Sequence, residues 1–253
     1  LLSYRFSQEL PTVIATSTPI EQLGDRIRSR LSDPALCRLL ILEEPEADTL
    51  DYSWGPGLEL QKKMTFRKFD WRRLNLPPDE RENLEKVYRV ALDYAKSPEG
   101  WLVLQGETGC GKTHLAAAIA NHRYQADKPA RFVVVPELLD HLRSTFSPES
   151  KTSYDQLFES IKTAPLLVLD DFGEQSTTPW AQEKLYQIIN YRYNAQLPTV
   201  VTTRPSLEEI ESRISSRFVD PKISMVFNIT APDYRSDLRS KRGGTSRRGR
   251  GRQ

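Results

Sequence analysis

Residues 101–120 read WLVLQGETGCGKTHLAAAIA. A short apolar run leads into Gly106-Glu107-Thr108-Gly109-Cys110-Gly111-Lys112-Thr113, a complete GxxxxGKT pattern, and an alanine-rich helical run follows at once. Strand, glycine loop and helix in that order are what phosphate binding requires. The glycines let backbone amides turn inward, and the helix N-terminus adds partial positive charge. Lys112 is expected to reach the β and γ phosphates of ATP, and the Thr113 hydroxyl to ligate Mg²⁺. The nucleotide-binding set read from this stretch is Gly106, Glu107, Thr108, Gly109, Cys110, Gly111, Lys112, Thr113 and His114. Cys110 serves as a small residue inside the loop. His114, His122 and His141 are separated by helical sequence and lack partner cysteines, so they imply no metal cluster.

Outward from this loop, further apolar runs alternate with helical patterns. RFVVV at Arg131, LLVLD at Leu166, TVVTT at Thr199 and SMVFNI at Ser224 read as strands. Between them THLAAAIANHRY, ELLDHLRSTF, YDQLFESIK, WAQEKLYQIINYRY and SLEEIESRISSRF read as helices. Upstream, Pro77 and Pro78 introduce an amphipathic helix with Leu84, Val87, Val90, Ala91 and Tyr94 at helical spacing. The expected architecture is α/β, with a mainly parallel five-stranded sheet covered by helices on both faces. The run LLVLD ends in Asp170-Asp171. In a protein with a phosphate-binding loop an acid at that strand end holds the magnesium through its water shell, a role that falls to Asp170. Asp171 is placed to orient or deprotonate the attacking water.

The composition is that of a globular chain, with 38% hydrophobic and 28% charged residues, which excludes a wholly disordered or fibrous protein. No apolar run approaches the roughly 18 residues that span a bilayer, so no membrane partner is expected. Two cysteines, Cys37 and Cys110, provide no disulfide framework, and a reducing cytoplasm is the expected location. The net charge of +2 is unevenly spread: residues 236–253 carry +6, leaving −4 on the rest. That basic tail, with SKRGGTSRRGRGRQ at its end, reads as disordered, and either as a solubilising end or as a salt-sensitive arm for phosphates. The chain also repeats itself. A shift of 187 positions aligns Tyr4–Pro45 with Tyr191–Pro232 without a gap, and 15 of 42 positions are identical. Arg26 and Arg30 fall on Arg213 and Arg217. The expected division is a partial first module over 1–45, a linker over 46–63, a main domain over 64–235 and the tail.

GWLVLQGETGCGKTHLAAAIAN, LLVLDDFGEQ, YQIINYRYNAQLPTVVTT, RISSRF and APDYR, in that order, resemble the AAA+ ATPases of the DnaC, DnaI and IstB type, bacterial helicase loaders and transposition ATPases. The likeness covers roughly 64–235. It implies the P-loop NTPase AAA+ fold, ATP bound between self-assembling protomers, and work on single-stranded DNA with a hexameric replicative helicase. The alternatives it leaves are an IstB-type ATPase acting with a transposase on duplex DNA, and a scaffold in which ATP orders an interface without turnover. By the same resemblance Arg217 is the arginine finger, with Arg213 as the alternative, and Arg235 is the sensor 2 arginine. The polar sensor after the fourth strand is often Asn; here Thr203 precedes Arg204, and Thr203 is assigned the role. Trp180 is the candidate aromatic for stacking on DNA bases. The first 45 residues would then be the end of an upstream AAA+-like module, with Arg26 and Arg30 in the finger positions.

Overall fold

The computed structural model describes residues 2–8, 10–14, 24, 27–28, 31, 37, 58–72, 76–147, 153–175 and 178–234. Arg26, Arg30, Arg235, the segment 46–57 and the tail 236–253 lie outside them. The chain divides into two units, Leu1–Ala47 and Asp48–Gln253, each taken by itself below.

In the first unit helix α1 (Leu2–Ser7) leads into residues 10–14, which belong to no helix or strand. Arg5 folds back across the turn, its Nε donating to Thr12 Oγ1 at 2.9 Å and its Nη2 to the Pro11 carbonyl at 2.7 Å.

The second unit begins with a short helix α2 (Leu58–Gln61), a 3₁₀ turn at Phe66–Lys68 and the long helix α3 (Pro78–Lys96). Pro78 opens α3, Asp79 and Glu80 face the positive end of its dipole, and Leu84, Val87, Ala91, Tyr94 and Ala95 are buried. Then come β1 (Trp101–Gly106), α4 (Lys112–Gln125), β2 (Arg131–Val134), α5 (Val135–Ser144) and α6 (Tyr154–Lys162). After them are β3 (Leu167–Phe172), α7 (Pro179–Asn194), β4 (Thr199–Thr203), α8 (Ser212–Phe218) and β5 (Ser224–Ile229).

The five strands form one parallel sheet in the order β2-β3-β4-β1-β5. Alternate side chains of each strand leave by opposite faces. Leu102, Leu104, Val168 and Val200 enter a core shared with α3 and α4, while Trp101, Val103, Leu167, Leu169 and Val201 enter one shared with α5, α6, α7 and α8. The fold read from the sequence, a parallel sheet covered on both faces, is the one found. Two details differ. The RFVVV run ends early, because Val135 already belongs to α5, whose first turn accommodates Pro136. SLEEIESRISSRF is helical only from Ser212; Leu207–Ile210 form a turn closed by the Glu209 amide on the Ser206 carbonyl, at 3.0 Å.

A second arginine corner joins α7 to β4. Arg192 is fully buried; its Nε donates to Thr199 Oγ1 (2.9 Å), its Nη2 to the Pro198 carbonyl (2.6 Å) and its Nη1 to the carbonyls of Lys162 (3.1 Å) and Ala164 (2.8 Å). The first two bonds are those that Arg5 makes at the aligned positions of the repeat.

Candidate nucleotide site

Because β1, β4 and β3 are consecutive in the sheet, their C-terminal ends bring together three loops that are distant in sequence. Crevices at such strand ends are where open α/β sheets bind ligands. Here a cavity of about 520 Å³ opens. Thr108, Gly109, Gly111, Lys112 and Thr113 line its floor, Met64, Lys68, Phe69 and His114 one side, and Asp171, Glu174, Arg204 and Tyr234 the remainder.

The floor depends on glycine. Gly111, the N-cap of α4, has φ 113°, and a β-carbon there would come within 2.8 Å of the Phe69 ring. Gly109 has φ 79°, and its missing β-carbon leaves room for the Asp233 carboxylate. The buried Lys112 Nζ donates to the carbonyls of Gly106 (2.7 Å) and Glu107 (2.9 Å). Cys110 is fully buried, its Sγ 3.9 Å from that ammonium. The Tyr234 amide donates to the Gly109 carbonyl at 3.0 Å, so the chain just before Arg235 lies on the phosphate loop.

Opposite the floor, the register between β3 and β4 shifts between Leu169 and Phe172. Asp170 and Asp171 occupy that irregularity, and Asp171 has φ 54°, a left-handed conformation uncommon outside glycine. Asp170 is buried. Thr202 donates to its Oδ1 at 2.6 Å and in turn accepts the Asp171 amide at 3.0 Å. Burial pushes the Asp170 carboxyl up to about 7 and the neighbouring Asp171 charge adds to this, against hydrogen bonds from Thr202 and Thr113 and the Lys112 charge. Thr203 is buried, and its hydroxyl donates to the Pro205 carbonyl at 3.2 Å rather than lining the cavity.

The side formed by 64–69 mixes aromatic and basic residues and carries no motif in the sequence. Two residues of α4 hold it. His114 Nε2 lies 3.0 Å from the Thr65 carbonyl, and Asn121 donates to the carbonyls of Gln61 (2.9 Å) and Met64 (2.7 Å). Burial lowers the His114 pKa, which favours the neutral ring.

The remaining candidates lie elsewhere. Arg217 donates to Asn190 Oδ1 at 2.6 Å and lies beside the rings of Tyr186 and Tyr193, while Arg213 pairs with Glu211. Neither lines the cavity of its own chain. Trp180, at the start of α7, packs on the second core, with the Arg143 guanidinium 5.1 Å from its ring centroid. Phe146, 60% exposed, meets it edge-on and stacks on Tyr154 at 5.1 Å. None of the described helices is long and apolar enough to cross a membrane.

The sequence pattern of a family described as "IstB-like ATP binding protein" matches residues 58–225. The chain is 30% identical over 118 residues to the replicative helicase loader DnaC of Escherichia coli strain K12, which covers 47% of this chain and 48% of DnaC. It is 32% identical over 111 residues to the replicative helicase loader DnaI of Bacillus subtilis strain 168, covering 44% of this chain and 35% of DnaI. The chain thus spans about half the length of the first relative and about a third of the second. A crystal structure of DnaI superposes with a TM-score of 0.54 at 25% identity, over 72% of this chain and 98% of that one.

Proposed function

The chain belongs to the IstB-like ATP-binding proteins, and on that footing we propose that it is a Mg²⁺-dependent ATPase that acts as a helicase loader on single-stranded DNA and a hexameric replicative helicase. One observation carries the ATPase reading: Lys112 and Thr113 at the start of α4 share a cavity with Asp171 at the end of β3, and Asp170 lies beside them in contact with Thr113. The residues fit a magnesium ion, since the Thr113 hydroxyl and the buried Asp170 carboxylate are adjacent oxygen donors of the kind a hard cation takes. When bound, the ion would neutralise charge on the β and γ phosphates.

The chain's own groups would do the rest. Lys112 leaves its two carbonyls for the phosphate oxygens, and the loop amides and the N-terminus of α4 hold the nucleotide. Asp171, aimed into the cavity by its left-handed backbone, orients a water molecule in line with the γ-phosphorus. The water oxygen bonds to phosphorus as the bond to the β–γ bridging oxygen breaks. ADP leaves with that electron pair, and Asp171 takes the proton. Arg217 would complete the neighbouring protomer's site, and the resemblance assigns Arg235 to the site of its own chain. Trp180 with Phe146 and Arg143 offers bases a stacking surface beside a cation. A reducing cytoplasm suits both the two thiols and the named relatives.

The loader reading rests on the two loaders to which the chain is similar. The resemblance to the IstB type leaves a second reading, an ATPase that serves a transposase on duplex DNA. Titration of Mg·ATP into the wild type and Lys112→Ala tests the nucleotide site: wild-type binding lost in the variant is expected, and equal affinity rejects it. Competition between single-stranded and duplex oligonucleotides separates the two readings, with preference for the single strand expected of the loader.

A further inference from the structure

Among the described residues that line the cavity, Arg204 brings a cation to the side facing the phosphate loop. Register places it there: Gln105 pairs with Thr203 across β1 and β4, so residue 204 leaves the sheet level with Gly106, where the loop begins. On the other side Phe172 of β3 pairs with the same Thr203, which brings the exit of β3 alongside. Across that gap Arg204 holds Glu174 with a two-pronged grip, Nε to Oε1 at 2.7 Å and Nη2 to Oε2 at 3.3 Å. Both residues line the cavity with Lys112 and Asp171, and the Arg204 side chain is half exposed. A carboxylate held this way presents the same pair of oxygens to guanidinium as a phosphate does.

We propose that Arg204 recognises the terminal phosphate of the bound nucleotide, and that Glu174 holds it in reserve when that phosphate is absent. The γ-phosphate of ATP bears more charge than one carboxylate and displaces Glu174 from the fork. ADP, whose phosphates end at the floor of the loop, leaves the pair closed. Arg204 thereby distinguishes ATP from ADP within a single chain, and release of phosphate returns it to Glu174. The role passes to Arg204 from its neighbour Thr203, whose hydroxyl is committed to Pro205.

The inference rests on the nucleotide reading above, and the test separates the two. Affinities for Mg·ATPγS and Mg·ADP are measured by calorimetry for the wild type, Arg204→Ala, Arg204→Lys and Glu174→Gln, with thermal melts to confirm folding. The wild type is expected to prefer ATPγS. Arg204→Ala should cut the ATPγS-to-ADP affinity ratio about tenfold or more with ADP affinity unchanged, the scale of a lost charged hydrogen bond. Arg204→Lys, with charge but no fork, should fall between. Glu174→Gln should raise the ratio by removing the competitor. A wild-type ratio in Arg204→Ala overturns the proposal, and so does a Glu174→Gln variant that loses discrimination as Arg204→Ala does. Wild-type protein that binds neither nucleotide overturns both this inference and the nucleotide reading, whereas binding with an unchanged ratio overturns this inference alone.

Discussion

The Thr202 hydroxyl donates to Asp170 Oδ1 at 2.6 Å, from the strand next to the one that carries the acid. That bond favours the carboxylate, yet burial prevails and holds the group near 7, well above the usual value of about 3.9. The folded chain therefore keeps a proton between about pH 4 and pH 7 that the unfolded chain has released. Stability without nucleotide should fall as pH rises through that window. Melting temperatures across it should decline for the wild type and show a flatter profile for Asp170→Asn. Thr202→Val, which loses the donor, should extend the decline to higher pH while its lower end stays in place.

Asp171→Asn keeps the side chain's size and removes its ability to accept a proton. Mg·ATP affinity should stay within about twofold while turnover falls by about 10²–10⁴, the usual contribution of a positioned base. Single-turnover phosphate release, measured beside a binding titration, separates the two.

If Arg217 completes a neighbour's site, Arg217→Ala should bind ATP normally and lose about 10³-fold or more in rate. Mixing Arg217→Ala with Asp171→Asn should restore activity, because an intact Asp171 of one chain then meets an intact Arg217 of another. Failure of the mixture to recover any activity would place Arg217 in a purely structural role with Asn190 and Tyr193.

Single-stranded DNA affinity should drop by about 1–3 kcal/mol in Trp180→Ala if a base stacks there. Removal of residues 236–253 should act differently, reducing the steepness with which affinity falls as salt rises. Fluorescence anisotropy over a salt series reads both.

Arg192→Ala takes the guanidinium from the carbonyls of Lys162 and Ala164, while the Pro198 carbonyl keeps the Leu167 amide at 3.3 Å. Urea unfolding should show a loss of about 2 kcal/mol or more, as expected when a buried acceptor and its part-buried neighbour lose their donor.

The strands and the phosphate loop were legible because their signals are local: runs of apolar residues buried on both faces, and glycines at fixed spacing ahead of a lysine. The cavity side made by Met64 and Phe69 was not, since it forms only when His114 and Asn121 meet backbone far away in the chain. Nor does sequence tell which of two adjacent threonines meets the acid. Strand alternation and the register shift at Asp170-Asp171 bring Thr202 to Asp170, while the Thr203 hydroxyl bonds to the Pro205 carbonyl. Helix α8 is shorter than the composition around Arg217 implies, because Ser206–Glu211 has helical composition while the chain turns there.

The arginine corner has a bearing on how the chain folds. At Arg192 it is sealed in the core, but at Arg5 the same two bonds close with Pro11 and Thr12 exposed. A corner that closes without burial needs no finished sheet around it, and its partners are six or seven residues away, so closing it costs little chain entropy. Pairing β4 with β1, by contrast, joins segments from opposite halves of the second unit. Local contacts of this kind form ahead of distant ones. Arg192 should thus belong to the folding nucleus: its loss should slow refolding and not only hasten unfolding, which stopped-flow measurements on Arg192→Ala would reveal.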